Sequence, residues 1–133
     1  MEDLVVEFAG MLIHLGMSKN IIDKNRIYLE EAISEDGIDL KDFNRFMNKC
    51  IYDFDNQQYD IKLYKKWDFE GCYIIYNIDK DIYHIGRSTR VLYKVDRNFR
   101  GYGNKNVYKD YLAGDRFRIR LIPNEYDDYE STR

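Results

Sequence analysis

The chain has 133 residues and a formal net charge of −3, a size that holds one domain or a small domain with an appendage. Apolar residues make up 44% and aromatic residues 16%, the latter mostly through 13 tyrosines, so a packed core is within reach. No apolar run approaches the about 20 residues that cross a bilayer, Met1-Glu2-Asp3 is no basic leader, and two cysteines with two histidines make no metal spacing.

The overall charge conceals an asymmetry. Residues 1–70 carry nine Lys/Arg against fifteen Asp/Glu, a balance of −6; residues 71–122 carry eleven against five, a balance of +6; residues 123–133 carry one against four. A basic segment is thus fused to an acidic one, and the basic segment is the place to look for an anionic ligand. Cys50 and Cys72 read as buried thiols, which suits a cytoplasmic setting.

Taken in order, Leu4, Phe8, Met11, Leu12 and Leu15 predict a helix over 3–16 that Gly16 ends in the left-handed conformation. His14 falls off that stripe and reads as a surface residue. A second helix begins at Ser18 or Asn20 as N-cap, carries Ile21, Ile22, Leu29, Ala32 and Ile33 on one side, and stops within 34–37. A third begins at Asp39, with Asp42 at the positive end of its dipole and Leu40, Phe43, Phe46, Met47, Cys50, Ile51 and Phe54 as its apolar face. Residues 1–56 therefore read as a three-helix unit. A balance of −6 argues against a helix-turn-helix reader, whose affinity comes largely from phosphate contacts. Packing against the next unit, and offering an acidic surface to a protein partner, fit better. Residues 57–70 form a connector in which Tyr59, Ile61 and Leu63 alternate with charges. Trp67 and Phe69 are expected to pin the two halves together.

Residues 71–100 are the centre of the chain. Residues 72–78 are rich in β-branched and aromatic side chains, 79–81 supply a polar turn, and 82–85 return, with Gly86 expected to break the strand. Val91, Leu92, Val95 and Phe99 then mark one face of a helix over 90–100. The loop 101–104 is either a helix-ending turn or a cradle of backbone N–H groups for phosphate. Val107, Tyr108, Tyr111 and Leu112 make another short helix, ended by Gly114. Over 116–122, Phe117, Ile119 and Leu121 point one way and Arg116, Arg118 and Arg120 the other, the pattern of a half-buried strand. Those arginines suit either tracking of a nucleic-acid backbone or a solvated edge that discourages strand addition.

Gly71-Cys72-Tyr73 on one strand, His84-Ile85-Gly86 on the next and a basic helix after them resemble the GIY-YIG nuclease superfamily, over roughly residues 71–122. The resemblance implies hydrolysis of phosphodiester bonds in DNA with Mg²⁺ or Mn²⁺ as cofactor. On that footing Tyr73 matches the tyrosine that activates the nucleophile, and Gly71 and Gly86 match the motif glycines. His84 stands in the second tyrosine's place; Tyr83, one residue earlier, points to the opposite face. Lys94 falls where an arginine contacts the phosphate, keeping charge but losing the bidentate fork, and Arg97 one turn on is the substitute. Asn98 falls where a histidine is expected and cannot shuttle a proton. The metal-binding glutamate's helix has no counterpart before Arg133; Glu125 and Glu130 are the late candidates, with Glu130 the metal ligand of choice.

The catalytic set implied is Tyr73, His84, Lys94 and Arg97, with Arg87, Arg90, Arg100, Lys105 and Arg118 contacting nucleic acid. The expected architecture is α+β: a three-helix unit over 1–56, a connector over 57–70, and a GIY-YIG-like domain over 71–133 with a three-stranded antiparallel sheet flanked by helices. Three departures from the motif predict impaired catalysis. Two functions follow. One is a nuclease-like binding module for nucleic acid or protein, of the kind a phage or mobile element uses to inhibit a nucleic-acid-handling complex; the other is an active metal-dependent DNA endonuclease.

Overall fold

A computed structural model describes residues 2–50 and 67–124. In chain order the elements are α1 (Glu2–His14), α2 (Lys19–Ile33), β1 (Ile38–Asp39), α3 (Leu40–Arg45) running into a π-helical turn (Phe46–Cys50), β2 (Gly71–Asn77), β3 (Ile82–Ser88), α4 (Val91–Asn98), α5 (Lys105–Leu112) and β4 (Phe117–Pro123). Tyr59, Ile61, Leu63, Glu125 and Glu130 lie outside the described residues, as does the part of the third helical face at Ile51 and Phe54. No helix among the described residues is long and apolar enough to cross a membrane.

The helix ends form for local reasons. Gly16 takes φ +79°, as a left-handed cap after α1 requires, and Ser18 is the N-cap of α2, its hydroxyl accepting the Ile21 N–H at 3.4 Å. Ser34 closes α2 by donating its hydroxyl to the Glu31 carbonyl at 2.6 Å. Asp39 then caps α3 through Oδ1, which accepts the Lys41 N–H at 2.9 Å.

The sheet is antiparallel throughout, in the order β1-β4-β2-β3. Among the described residues it has four strands where three were expected. The fourth is β1, inside the segment read as all-helical, where Ile38 faces Ile119 and Asp39 faces Arg118. The supposed three-helix unit is accordingly two long helices, a two-residue strand, and a short helix that loosens into a π turn. Gly37 permits the junction: it sits at φ +74°, and a Cβ there would collide with the Ile119 carbonyl. A two-residue strand carries too little alternation to be visible in sequence.

A second correction concerns β3. It does not break at Gly86 but continues to Ser88, paired with β2 along its full length. Likewise β4 is interior where β1 pairs with it, at Arg118 and Ile119, so Arg118 does not sit on a sheet edge.

All buried sheet residues share one face. Ile38, Ile75, Phe117, Ile119 and Leu121 join Phe8, Leu12, Leu29, Phe43, Phe46, Leu92 and Val95 in a single apolar core. Trp67 links the two parts of the chain as expected: its ring lies 4.3 Å from Phe8 on α1 and 5.4 Å from Phe69 just before β2. Phe46 extends that aromatic cluster, 6.0 Å from Phe8 and 6.5 Å from Tyr28. On the other side Phe99 meets Phe117 at 5.2 Å and Tyr111 at 5.3 Å.

The start of α4 is fixed by a residue far off in sequence. Arg90, at the N-cap position, makes no side-chain cap. Instead Asp68 accepts the Leu92 N–H at 2.9 Å through Oδ1 and the Tyr93 N–H at 2.8 Å through Oδ2, while the Phe69 carbonyl accepts the Val91 N–H at 2.9 Å. Burial raises the Asp68 carboxyl above its ordinary 3.8, outweighing the three backbone hydrogen bonds and the nearby Arg90 that pull it down.

Two outcomes are expected in urea melts. Asp68→Ala lowers stability by about 1–2 kcal/mol, the usual loss on removing a cap. Because the folded carboxyl holds its proton more tightly than the unfolded one, this group's contribution falls as pH rises from 3.8 through its raised folded value; Asp68→Asn removes that decline.

Candidate nucleic-acid interface

The β2–β3 register places the motif residues. Tyr73 stands opposite Gly86, and His84 opposite Ile75, all on the helix-covered face. Tyr73 and His84 are therefore diagonal neighbours, at the separation of about 7–8 Å that such pairs have between backbones. Gly86 is a packing requirement: a Cβ there would run into the ring and hydroxyl of Tyr73. Gly71 is one too, since a Cβ would strike the Ile122 carbonyl on β4. The two motif glycines thus let β2 lie close to its neighbours and let the Tyr73 ring fold across β3. Tyr73 is half-buried against the core, and His84 Nε2 is buried with no hydrogen-bond partner among the described residues. Tyr83 and Ile85 point to the other face, as strand alternation demands, and are exposed.

Helix α4 packs over β2 and β3. Its buried side holds Val91, Leu92 and Val95, and Lys94 and Arg97 are half-buried beside them. Arg97 is not free to swing. Its guanidinium lies 5.2 Å from the Tyr93 ring and 4.5 Å from the Tyr102 ring, while Arg90 covers Tyr93 at 4.8 Å. The four side chains form a ladder, Arg90–Tyr93–Arg97–Tyr102, in which cation and ring alternate. Tyr93 was not foreseen as part of the site, although its spacing of three from Arg90 and four from Arg97 is the spacing of helical neighbours.

Asn98 plays a different part from the histidine expected in its position. It is buried, donates Nδ2–H to the Lys94 carbonyl at 2.9 Å, and accepts the Asn104 N–H through Oδ1 at 2.7 Å. A Cβ on Gly103 would collide with the same amide. The loop 101–104 is therefore a helix-ending turn anchored by Asn98, with Gly101 at φ +90° and the Tyr102 N–H bonded to the Arg97 carbonyl at 3.0 Å. Asn104 goes on to cap α5, accepting the Asn106 and Val107 N–H groups at 2.8 and 3.3 Å.

The acidic side chains of this half are already engaged. Asp96 holds Arg100 at 2.9 Å, Asp79 holds Arg116 at 2.8 Å, and Asp110 holds Lys80 at 2.6 Å. Asp115 accepts from the buried Asn77 amide at 2.9 Å, and Asp81 from the Tyr76 hydroxyl at 2.7 Å. The Arg116 hydrogen bonds hold Asp79 below its ordinary 3.8, and the hydrogen bond to Asp110 raises Lys80. Arg118 is also committed, donating to the Asp36 and Gly37 carbonyls at 3.0 and 2.8 Å and so bracing β1. Of the side chains expected to meet nucleic acid, Arg100 and Arg118 thus have structural work, whereas Arg87, Arg90, Lys94, Arg97 and Lys105 form no ion pair among the described residues. Among those residues no three of His, Cys, Asp and Glu converge as a metal site, and Glu130 lies outside them.

Gly86→Ala is expected to push the Tyr73 ring off β3 and lower stability by about 1–3 kcal/mol in urea melts, with most of the loss recovered in the Gly86→Ala, Tyr73→Ala double variant. Tyr76 should titrate at about 12 because its hydroxyl donates to Asp81, and Asp81→Asn should return it toward the ordinary 10.0 in a carbon-13 tyrosine titration. No family model matches the chain, and no curated protein or solved structure matches it either.

Proposed function

We propose that this chain is a GIY-YIG nuclease-like module with impaired catalysis, and that it binds DNA along α4. The observation that carries this reading is the Arg90–Tyr93–Arg97–Tyr102 ladder. Each guanidinium there lies over a ring and has no ion pair among the described residues. A cation held over a ring loses little conformational entropy on meeting a phosphate, because its rotamer is already restricted. With Lys94 and Lys105 it makes a basic field whose neighbouring acids are otherwise engaged.

Impairment is the better reading of the catalytic positions for a local reason. Both ends of the Asn98 amide are spent on α4 and on the loop after it, so no proton carrier stands where the resemblance calls for one. Lys94 offers a point charge in place of a planar fork. The pairing of Tyr73 with His84 on one face favours the second reading, an endonuclease in which His84 is the general base and Mg²⁺ or Mn²⁺ the cofactor. Engagement of a protein through the acidic N-terminal helices, as an inhibitor from a phage or mobile element would use, is compatible with either.

The test is a pair of assays on the whole chain. Supercoiled plasmid with Mg²⁺ or Mn²⁺ should show no nicking that Tyr73→Phe abolishes. Labelled duplex should be retained in a salt-dependent manner, and Arg90→Ala or Arg97→Ala should each reduce the log–log salt slope by about 1. Nicking lost in Tyr73→Phe would establish the endonuclease instead, and the absence of retention at low salt would remove nucleic acid as the ligand.

A further inference from the structure

The face of the sheet turned away from the helices carries its own pattern. The register lays it out in three rows across β3, β2 and β4: Tyr83–Tyr76–Arg118, Ile85–Ile74–Arg120 and Arg87–Cys72–Ile122. None of these nine side chains belongs to the apolar core or packs against it among the described residues. Tyr83 is 61% exposed and Ile85 71% exposed, values unusual for a tyrosine and an isoleucine in adjacent positions of one strand face. The nine positions hold three arginines and no carboxylate. The acidic groups around them are Asp81, which accepts the Tyr76 hydroxyl, Asp39, opposite Arg118 on β1, and the exposed Glu70, just before β2.

We infer that this open face is a binding platform for single-stranded nucleic acid, separate from α4, with Tyr83 as the base-stacking residue and Arg87 and Arg120 as the phosphate contacts. The Tyr83 ring is set for the purpose. It stacks on Tyr76 at 4.4 Å and 25°, and Tyr76 is fixed by its hydrogen bond to Asp81, so the outer Tyr83 ring face is presented as a rigid plane on β3, the last strand of the sheet among the described residues. Every base has a π-face to lay on such a plane, whereas a duplex keeps its bases stacked on one another. Ile74 and Ile85 give the next row an apolar floor. Arg87 lies two rows from Tyr83 on the same strand, about 14 Å away at the rise of an extended chain. Arg120 has no ion pair among the described residues, and its buried Nε–H finds no acceptor there, so its charge too is left for a ligand. Arg118 contributes field only, since its guanidinium braces β1.

An acidic peptide is the competing occupant of a basic, apolar face. It would be held by charge and backbone pairing and would be indifferent to a planar ring at the edge. The inference shares with the proposed function the chemistry of the ligand and not the surface, and the experiment separates them. Fluorescence anisotropy of a labelled oligothymidylate should show salt-sensitive binding that Tyr83→Ala weakens about tenfold or more, the usual consequence of deleting a stacking aromatic. Arg87→Ala should weaken it less, by about threefold, and Arg97→Ala on α4 should leave it within about twofold. Duplex retention should show the reverse order. Tyr83 and Arg87 are exposed, so both variants should keep the wild-type circular dichroism spectrum and a cooperative melt, Tyr83→Ala at a slightly lower temperature for the loss of its stack on Tyr76.

Oligothymidylate binding unchanged in both Tyr83→Ala and Arg87→Ala would overturn the platform, even if α4 still bound duplex. So would loss confined to Arg97→Ala. Polyglutamate binding as tightly as oligothymidylate, with no dependence on Tyr83, would hand the face to an acidic peptide and overturn it as well.

Discussion

The first backbone N–H groups of any helix find no acceptor within it, and in α4 the duty falls to a single carboxylate from outside. Asp68 holds the Leu92 and Tyr93 groups together, three residues before β2 begins. Because the same short segment leads into the central strand, one side chain fixes where the helix starts relative to the sheet it covers. Everything argued for the helix face rests on that placement. The Arg90–Tyr93–Arg97–Tyr102 ladder begins at the capped turn, Lys94 and Asn98 follow one turn apart, and Asn98 then sets the loop that leads to α5. A helix that slid by a residue would rotate all of these by about 100°.

Burial of Asp68 costs free energy that its hydrogen bonds do not fully return, which is why its carboxyl stays above the ordinary value. The neighbouring aromatic contact of Trp67 with Phe8 keeps the segment covered, so the cap and the core support each other. The buried Asn77 does for the other end of the sheet what Asp68 does for α4. Its amide donates to Asp115 and Asp110, and its carbonyl accepts the Lys80 N–H at 3.0 Å, tying the hairpin turn to α5.

How much of this could be read from the chain depends on the range of the signal. Ser18, Asp39 and Gly16 act on groups within a few residues of themselves, and their roles were visible as local patterns. The alternation of Phe117, Ile119 and Leu121 against Arg118 and Arg120 was equally plain, as was the pinning role of Trp67 and Phe69. Interactions made at long range were not legible. Nothing near Asp68 points to a helix that starts 23 residues later, and nothing in Ile38 and Asp39 points to a strand 80 residues further on. Gly86 misled because a glycine in a strand reads as a break, while its function is to clear space for the Tyr73 ring, a partner 13 residues earlier. Arg118 misled in the same way, since a charge on the outward face reads as free until the Asp36 and Gly37 carbonyls are seen to accept from it.

The chain contains one tryptophan, and its position has a practical consequence. The Trp67 indole is wedged between a ring of the first helix and a ring of the segment that feeds the central strand. Its emission is therefore an intrinsic optical gauge of whether the N-terminal helices are seated. Any ligand or partner that pries α1 away from the sheet would move this residue into water, and the resulting red-shifted spectrum would record the event without a label.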